Sequence, residues 1–267
     1  MTLIPIDDPD DPRVAAFRFN ERGLTNRVQR RSDAGDGLFM AEGDLVVERA
    51  LAAGCVPVSA LVDSRRPPAI TEQLLHRIDV FAGGELMRTA ITKMGTPYSV
   101  VALFQRPARV TVDEIAARTD RIILVEAVDN PLNMGSIARN GLGLGWSGLV
   151  IDSTSADPLA RRALRVSMGQ TLHLPHARVG DMSETIKTLR AADWLVCALT
   201  PDVAAVPLED VAPDGRIALL VGAERVGLTP AVMEAASIRA RIEMYDGVDS
   251  LNVAAATAVA CWQLRRR

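Results

Sequence analysis

Two uninterrupted apolar runs, Ile122-Ile123-Leu124-Val125 and Ala218-Leu219-Leu220-Val221, limit what this chain can fold into more than any other feature. A strand with one wet face alternates apolar and polar side chains. A strand apolar at every position needs cover on both faces, as parallel strands have in α/β proteins. Around these runs, helical and extended periods alternate. They predict strands over Arg121–Val128, Gly148–Ile151, Thr171–Leu174, Trp194–Leu199 and Ile217–Val221, and helices over Met134–Leu144, Pro158–Val166, Met182–Ala192, Pro230–Ala236 and Leu251–Leu264. The upstream half alternates too. Strands are expected at Leu38–Ala41, Val58–Val62, Ile78–Phe81 and Ser99–Phe104, and helices at Ile70–His76, Glu85–Ile91 and from Asp44 to Ala53, closed by Gly54. Both halves are therefore α/β, joined by a linker at Gln105–Arg109. The expected organisation is a tail and Arg-rich arm over 1–34, a small α/β domain over 35–107 and a parallel-sheet domain over 108–267.

Residues 1–12, rich in Asp and Pro, are expected to be a disordered acidic tail. Arg18, Arg22, Arg27, Arg30 and Arg31 follow, as a solvated helix or as an arm that touches phosphates. With 48% hydrophobic and 24% charged residues the chain has a globular composition. No apolar run reaches the length of a membrane span, and the acidic start lacks the pattern of a signal peptide. A cytoplasmic protein is expected. Cys55, Cys197 and Cys261 stand singly in apolar surroundings and are expected to be small buried hydrophobes rather than metal ligands. The net charge of −3 does not advertise a nucleic-acid partner. The cations are nearly all Arg, with Lys only at Lys93 and Lys187, a bias that base composition or phosphate binding could produce.

Three segments carry candidate chemistry. In Asn130-Pro131-Leu132-Asn133-Met134-Gly135-Ser136-Ile137-Ala138-Arg139 a strand gives way to a Pro-containing turn and a helix starting near Asn133. Asn133 is expected at the mouth, with Gly135 and Arg139 sharing a helix face at the carboxyl edge of the sheet, where α/β proteins bind ligands. A Rossmann site is excluded because G-x-G-x-x-G is absent there. In Val221-Gly222-Ala223-Glu224-Arg225-Val226-Gly227-Leu228 a buried strand breaks into a glycine-flanked loop, suited to backbone that hugs a ligand. The third segment runs from Ile242 through the turn at Asp246-Gly247 into Asp249-Ser250-Leu251-Asn252. It opens a small, apolar helix expected to be buried on most faces. Each segment alone would also fit an ordinary capped core helix or loop.

Together, N-P-x-N-x-G-x-x-x-R, G-x-E-x-x-G-L and S-L-N-V resemble the three signature motifs of the SpoU/TrmH family of RNA ribose 2′-O-methyltransferases, within the SPOUT superfamily. Ala163-Leu164-Arg165-Val166-Ser167-Met168-Gly169 is similar to the family's R-x-S-M-G stretch, and Phe39-Met40-Ala41-Glu42-Gly43 to part of an L30e-like RNA-binding domain. The resemblance implies a SPOUT domain with a deep trefoil knot, a homodimer, and S-adenosylmethionine held mainly by backbone around Thr200, Gly222, Ile242, Met244 and Leu251. It implies Arg139 as the catalytic residue, Asn133 and Glu224 orienting it or the ribose, and Ser250 and Asn252 shaping the pocket. Ala254 departs from the family, where many members carry a second Ser, and a local change in hydrogen bonding is expected. No metal is required. The partner implied is rRNA or tRNA. A catalytically inactive RNA-binding protein of this fold and a base-methylating SPOUT enzyme are the alternatives.

Overall fold

The computed structural model describes residues 3–19, 24, 37–212, 214–223, 226–245 and 247–266. The chain divides into two compact units, Met1–Ala108 with Leu159–His173, and Arg109–Pro158 with Leu174–Arg267. Arg22, Arg27, Arg30 and Arg31 of the expected arm, together with Glu224 and Asp246, lie outside the described residues.

The first unit holds a five-stranded mixed sheet in the order β1-β4-β3-β5-β2, with β1 at Ile4–Pro5, β2 at Leu38–Glu42, β3 at Pro57–Asp63, β4 at Asp79–Gly83 and β5 at Val100–Gln105. The period of two sorts its side chains. Phe39, Ala41, Ala60, Val62, Val80, Ala82, Ala102 and Phe104 face one core, and Met40, Leu61, Phe81, Val101 and Leu103 face the other. The helix Asp44–Ala52 covers the first core and ends as expected. Gly54, at φ 77°, donates to Leu51 O, and Cys55 donates to Ala50 O, so both orphan carbonyls are satisfied.

Two expectations fail in this unit. The tail expected to be disordered over 1–12 is ordered in its described part, and the order continues to Arg18. Ile4-Pro5 pairs with Phe81-Ala82, and Val14 and Phe17, in a 3-10 helix over Pro12–Arg18, are fully buried in the second core. The Asp residues masked Ile4 and Ile6, which join Val14 and Phe17 in that core, and one of those acids, Asp11, caps the helix by accepting from Arg13 N at 2.8 Å. The strand expected at Thr171–Leu174 is instead a 3-10 helix, Gln170–His173. Met168 and Gly169, both at positive φ, turn the chain sharply after the Arg161–Val166 helix. That helix starts three residues later than expected. It packs Leu164 into the first core and pairs Arg161 with the buried Glu42.

The second unit holds seven parallel strands in the order β10-β12-β9-β11-β6-β7-β8. They are β6 at Arg121–Glu126, β7 at Gly148–Asp152, β8 at His176–Val179, β9 at Trp194–Leu199, β10 at Val206–Pro207, β11 at Arg216–Gly222 and β12 at Ile238–Arg241. The two apolar runs are the central pair, β6 beside β11. Ile123, Val125, Leu219 and Val221 enter one core while Ile122, Leu124, Ala218 and Leu220 enter the other, so both faces are covered. Helices Pro131–Gly143 and Val253–Gln263 supply the first core. Helices Val112–Ala116, Met182–Ala191 and Pro230–Ala235 supply the second. The short helix Val112–Ala116 was not anticipated, although Thr111 and Glu114 form a reciprocal capping box.

After β12 the chain returns to the middle of the sheet, where Val253–Gln263 lies against Pro131–Gly143. Three buried or half-buried side chains secure it: Asn140 Nδ2 donates to Ala254 O (3.2 Å), Trp146 Nε1 to Cys261 O (3.0 Å) and Arg121 Nε to Leu264 O (2.9 Å). The helix is not buried on most faces. Val253, Ala254, Thr257, Ala260 and Cys261 face inward, while Val259 and Trp262 remain exposed.

Candidate active site

Strand β11 ends at Gly222 and the chain doubles back at once. Gly227 N donates to Ala223 O at 2.9 Å, and Gly227 takes φ 67°. A Cβ on Gly222 would lie 2.8 Å from Gly227 C and Leu228 N. The sequence suggests that Gly222 makes room for a ligand. In the structure the room is taken by the chain's own returning backbone, so the glycine shapes the wall first. Buried Glu126, at the end of β6, fixes the far end of this loop by accepting from Thr229 N (2.8 Å) and Thr229 Oγ1 (2.9 Å).

The folded-back loop walls a cavity of about 350 Å³ at the carboxyl ends of β9 and β11. That is within the range of roughly 300–1,000 Å³ for small-molecule sites. Thr200, Gly222, Ile242, Met244, Leu251 and Ser250 all border it, and Leu199, Val221 and Leu228 add apolar wall. Three separate stretches, 199–201, the two arms 221–223 and 226–228, and Ile242 and Met244 with 249–251, thus converge on one space. The donor set fits an adenosyl compound: apolar side chains to flank a purine, backbone at strand ends, and the hydroxyls of Thr200 and Ser250.

Asn133, Arg139 and Asn252 do not line that cavity. Asn252 is the N-cap of Val253–Gln263 and accepts from Ala254 N (3.0 Å) and Ala255 N (3.4 Å). With its oxygen so used, its Nδ2 donates to Asn133 Oδ1 at 3.1 Å. The sequence puts Asn133 at the mouth of its helix. The mouth is instead Asn130, which accepts from Leu132 N at 3.0 Å with Pro131 as first helical residue, so Asn133 sits in the first turn. Arg139 is exposed and Gly135 buried, so the two lie at the edge of a common face rather than on one surface.

Sequence reasoning missed the group that holds this segment. Asp152, at the end of β7, accepts from Ala127 N (3.1 Å), Ser155 N (2.9 Å) and Ser155 Oγ (2.5 Å). Ser155 Oγ in turn accepts from Val128 N at 3.1 Å. Ala127 is thereby held at φ 56°, a left-handed value uncommon for a residue with a Cβ. Burial pushes the Asp152 carboxyl up, but the bonds from Ser155 and Thr154 outweigh it and hold it below its ordinary range. The signal was Asp152-Ser153-Thr154-Ser155 directly after a buried strand, an Asx-turn sequence.

The three cysteines are buried, and burial pushes the Cys197 thiol up to about 12 and that of Cys261 further. None of His76, His173 or His176 borders the cavity. Among the described residues, no cluster of His, Cys, Asp and Glu is placed to hold a metal ion, and no helix is long and apolar enough to cross a membrane.

Sheet and cavity define a doubly covered parallel α/β protein that holds a small ligand at the carboxyl edge of its sheet, without the Rossmann glycine pattern. The chain belongs to the SpoU rRNA methylase family, whose model matches residues 120–262. It is 36% identical, over 97% of its length and 90% of the relative's, to an uncharacterized tRNA/rRNA methyltransferase of Mycobacterium tuberculosis. It is 28% identical, over 85% and 88%, to a 23S rRNA guanosine 2′-O-methyltransferase of Bacillus subtilis. The crystal structure of an AdoMet-bound rRNA methyltransferase from Sinorhizobium meliloti superposes with a TM-score of 0.81 at 26% identity, covering 98% of this chain and 97% of that one.

Proposed function

We propose that the chain is an S-adenosylmethionine-dependent methyltransferase that modifies a ribose 2′-hydroxyl of ribosomal RNA in the cytoplasm. The observation that carries this reading is the convergence of three chain segments on one cavity at the sheet edge, beside the bonded pair Asn133–Asn252. When bound, the cofactor supplies a methyl group already activated by its sulfonium. Thr200, Gly222, Ile242, Met244 and Leu251 hold it, with Ser250 at the same wall. The chain's remaining task is to place the ribose oxygen and stabilise the charge that grows on it. Arg139 has that task. A guanidinium is always protonated and is a poor base, so Arg139 binds a substrate phosphate and the alkoxide-like oxygen, while the proton passes to a phosphate oxygen or to water. Asn133, Glu224 and Asn252 orient Arg139 or the ribose.

The first unit, residues 35–107 in its main part, serves as an L30e-like RNA-binding domain, and residues 108–267 carry the SPOUT domain. The return of the chain from β12 to the middle of the sheet is the passage of a trefoil knot. The active form is a homodimer. Leu132, Val259 and Trp262 leave large apolar side chains in solvent on the two motif-bearing helices, and a second copy would cover them.

The test is methyl transfer from labelled cofactor to rRNA and tRNA pools, followed by nucleoside analysis and mapping. A 2′-O-methylated nucleotide in rRNA supports the proposal. A methylated base, or cofactor binding without transfer to any RNA, refutes it. A monomer by light scattering at micromolar concentration removes the dimer.

A further inference from the structure

We propose that the loop Ser64–Pro67 of the first unit is an RNA phosphate clamp carried by Arg65 and Arg66. The proposal rests on the reading of this chain as an enzyme that binds RNA. The loop leaves the carboxyl end of β3, and its four residues are exposed. What sets it apart is how firmly its base is built. Arg88 is a nearly fully buried arginine, 4% exposed. Its guanidinium donates to Gly83 O (3.2 Å), to Pro97 O (3.4 Å), to Tyr98 O and to Asp63 Oδ2 (2.5 Å). The other oxygen of Asp63 accepts the backbone N–H groups of Arg65 (2.8 Å) and Arg66 (3.2 Å). Ser64 N donates to Gly83 O at 3.1 Å, and Pro67-Pro68 stiffen the exit.

A buried cation therefore occupies one oxygen of the carboxylate at the base of the loop, and the loop's own N–H groups occupy the other. Among the described residues, Arg65 and Arg66 form no salt bridge. Burial pushes the Asp63 carboxyl up, but the two loop N–H groups and the charges of Arg88 and, last, Arg65 outweigh it, so Asp63 stays charged and bonded. Two adjacent guanidinium groups, neither held in an ion pair, on a backbone already ordered suit a polyanion. The ordering entropy of the loop is met in folding rather than in binding, and guanidinium matches phosphate as a bidentate fork. A charge-poor protein surface offers no such match, and RNA does.

The test uses the full chain with Arg65→Ala and Arg66→Ala combined, and separately Arg65→Lys and Arg66→Lys combined. Binding of unmodified rRNA is measured across a salt series, with single-turnover methylation at limiting and saturating RNA. The alanine pair should weaken RNA binding about tenfold and reduce the log–log salt slope by about two, one for each phosphate that is no longer neutralised. Cofactor affinity and the rate at saturating RNA should not change. The lysine pair should recover most of the salt slope. An unchanged slope and affinity in the alanine pair, or a lysine pair as weak as the alanine pair, overturns the clamp. If the wild-type protein binds rRNA with a slope that the alanine pair reduces but methylates no RNA, the enzyme reading falls and the clamp stands.

Discussion

Leu251 and Asn252 are neighbours in the chain, yet they belong to regions built in different ways. Leu251 borders the cavity together with Thr200, Gly222 and Ile242, and that wall is backbone at strand ends with apolar side chains pressed around it. Asn252 donates to Asn133 across two helix starts, a contact between amide groups, and Arg139 lies six residues further along the helix of Asn133, on its exposed side. The wall depends on close backbone approach, so a single added carbon disturbs it. The rim depends on polar side chains, so a truncation there removes a hydrogen bond and leaves the backbone in place. Damage to the first should appear in cofactor binding, and damage to the second in turnover.

The sharpest way to break this contrast is to add side-chain volume to the wall. Gly222→Val places carbon against Gly227 and Leu228, where a Cβ alone already lies 2.8 Å from backbone, and the loop must move. Cofactor affinity by calorimetry should fall about a thousandfold, ~4 kcal/mol, in a protein whose circular dichroism stays folded. Retained affinity would show that the loop does not form the wall. Next comes the strut behind it. Glu126→Ala removes the acceptor of both Thr229 N–H and Thr229 Oγ1 and should cost about 2 kcal/mol of stability, seen as a lower melting temperature together with weaker cofactor binding. Glu126→Gln, which keeps one acceptor oxygen, should fall between. If Glu126→Ala melted lower but bound cofactor as the wild type does, the loop would be fixed by something else. The smallest effect is expected at the rim. Asn252→Ala loses a helix cap, worth about 1 kcal/mol, and the bond to Asn133. It should slow methyl transfer while leaving cofactor affinity within about twofold.

How much of this was legible in the sequence follows the same division. The wall was readable because its parts are strong local signals. Continuous apolar runs demand a covered parallel sheet, and a glycine-bounded break after such a run marks the place where a strand turns sharply. The cofactor candidates, which came from the family resemblance rather than from local pattern, all border the cavity. Gly222 has a second reason to be glycine that the sequence does not show, since the chain a few residues on, at Gly227 and Leu228, crowds it. The long-range polar contacts were not readable. Glu126 meets Thr229 from a distant part of the chain, and Asp152 reaches back to Ala127 from the next strand. Nothing in local sequence pairs those positions. The acidic start misled for a related reason. Its charge density reads as disorder, but its apolar residues find a partner strand, β4, far along the chain. Thr171–Leu174 reads as a strand because its residues favour one. The sharp turn at Met168-Gly169, set by the docking of Leu164 and Arg161 in the first unit, decides otherwise.

The central claim is that cavity and rim divide cofactor binding from catalysis, and Arg139→Ala tests it most directly. Arg139 is exposed on its helix and does not border the cavity. Calorimetry and single-turnover methylation on the same preparation should show cofactor affinity close to the wild-type value. The methyl-transfer rate should be lower by a few hundred-fold, the ~3–4 kcal/mol of an interaction that grows as charge develops on the ribose oxygen. Arg139→Lys should recover little of it, because the planar fork is lost. A rate near that of the wild type would contradict the role given to Arg139, and a parallel loss of cofactor binding would contradict the division itself.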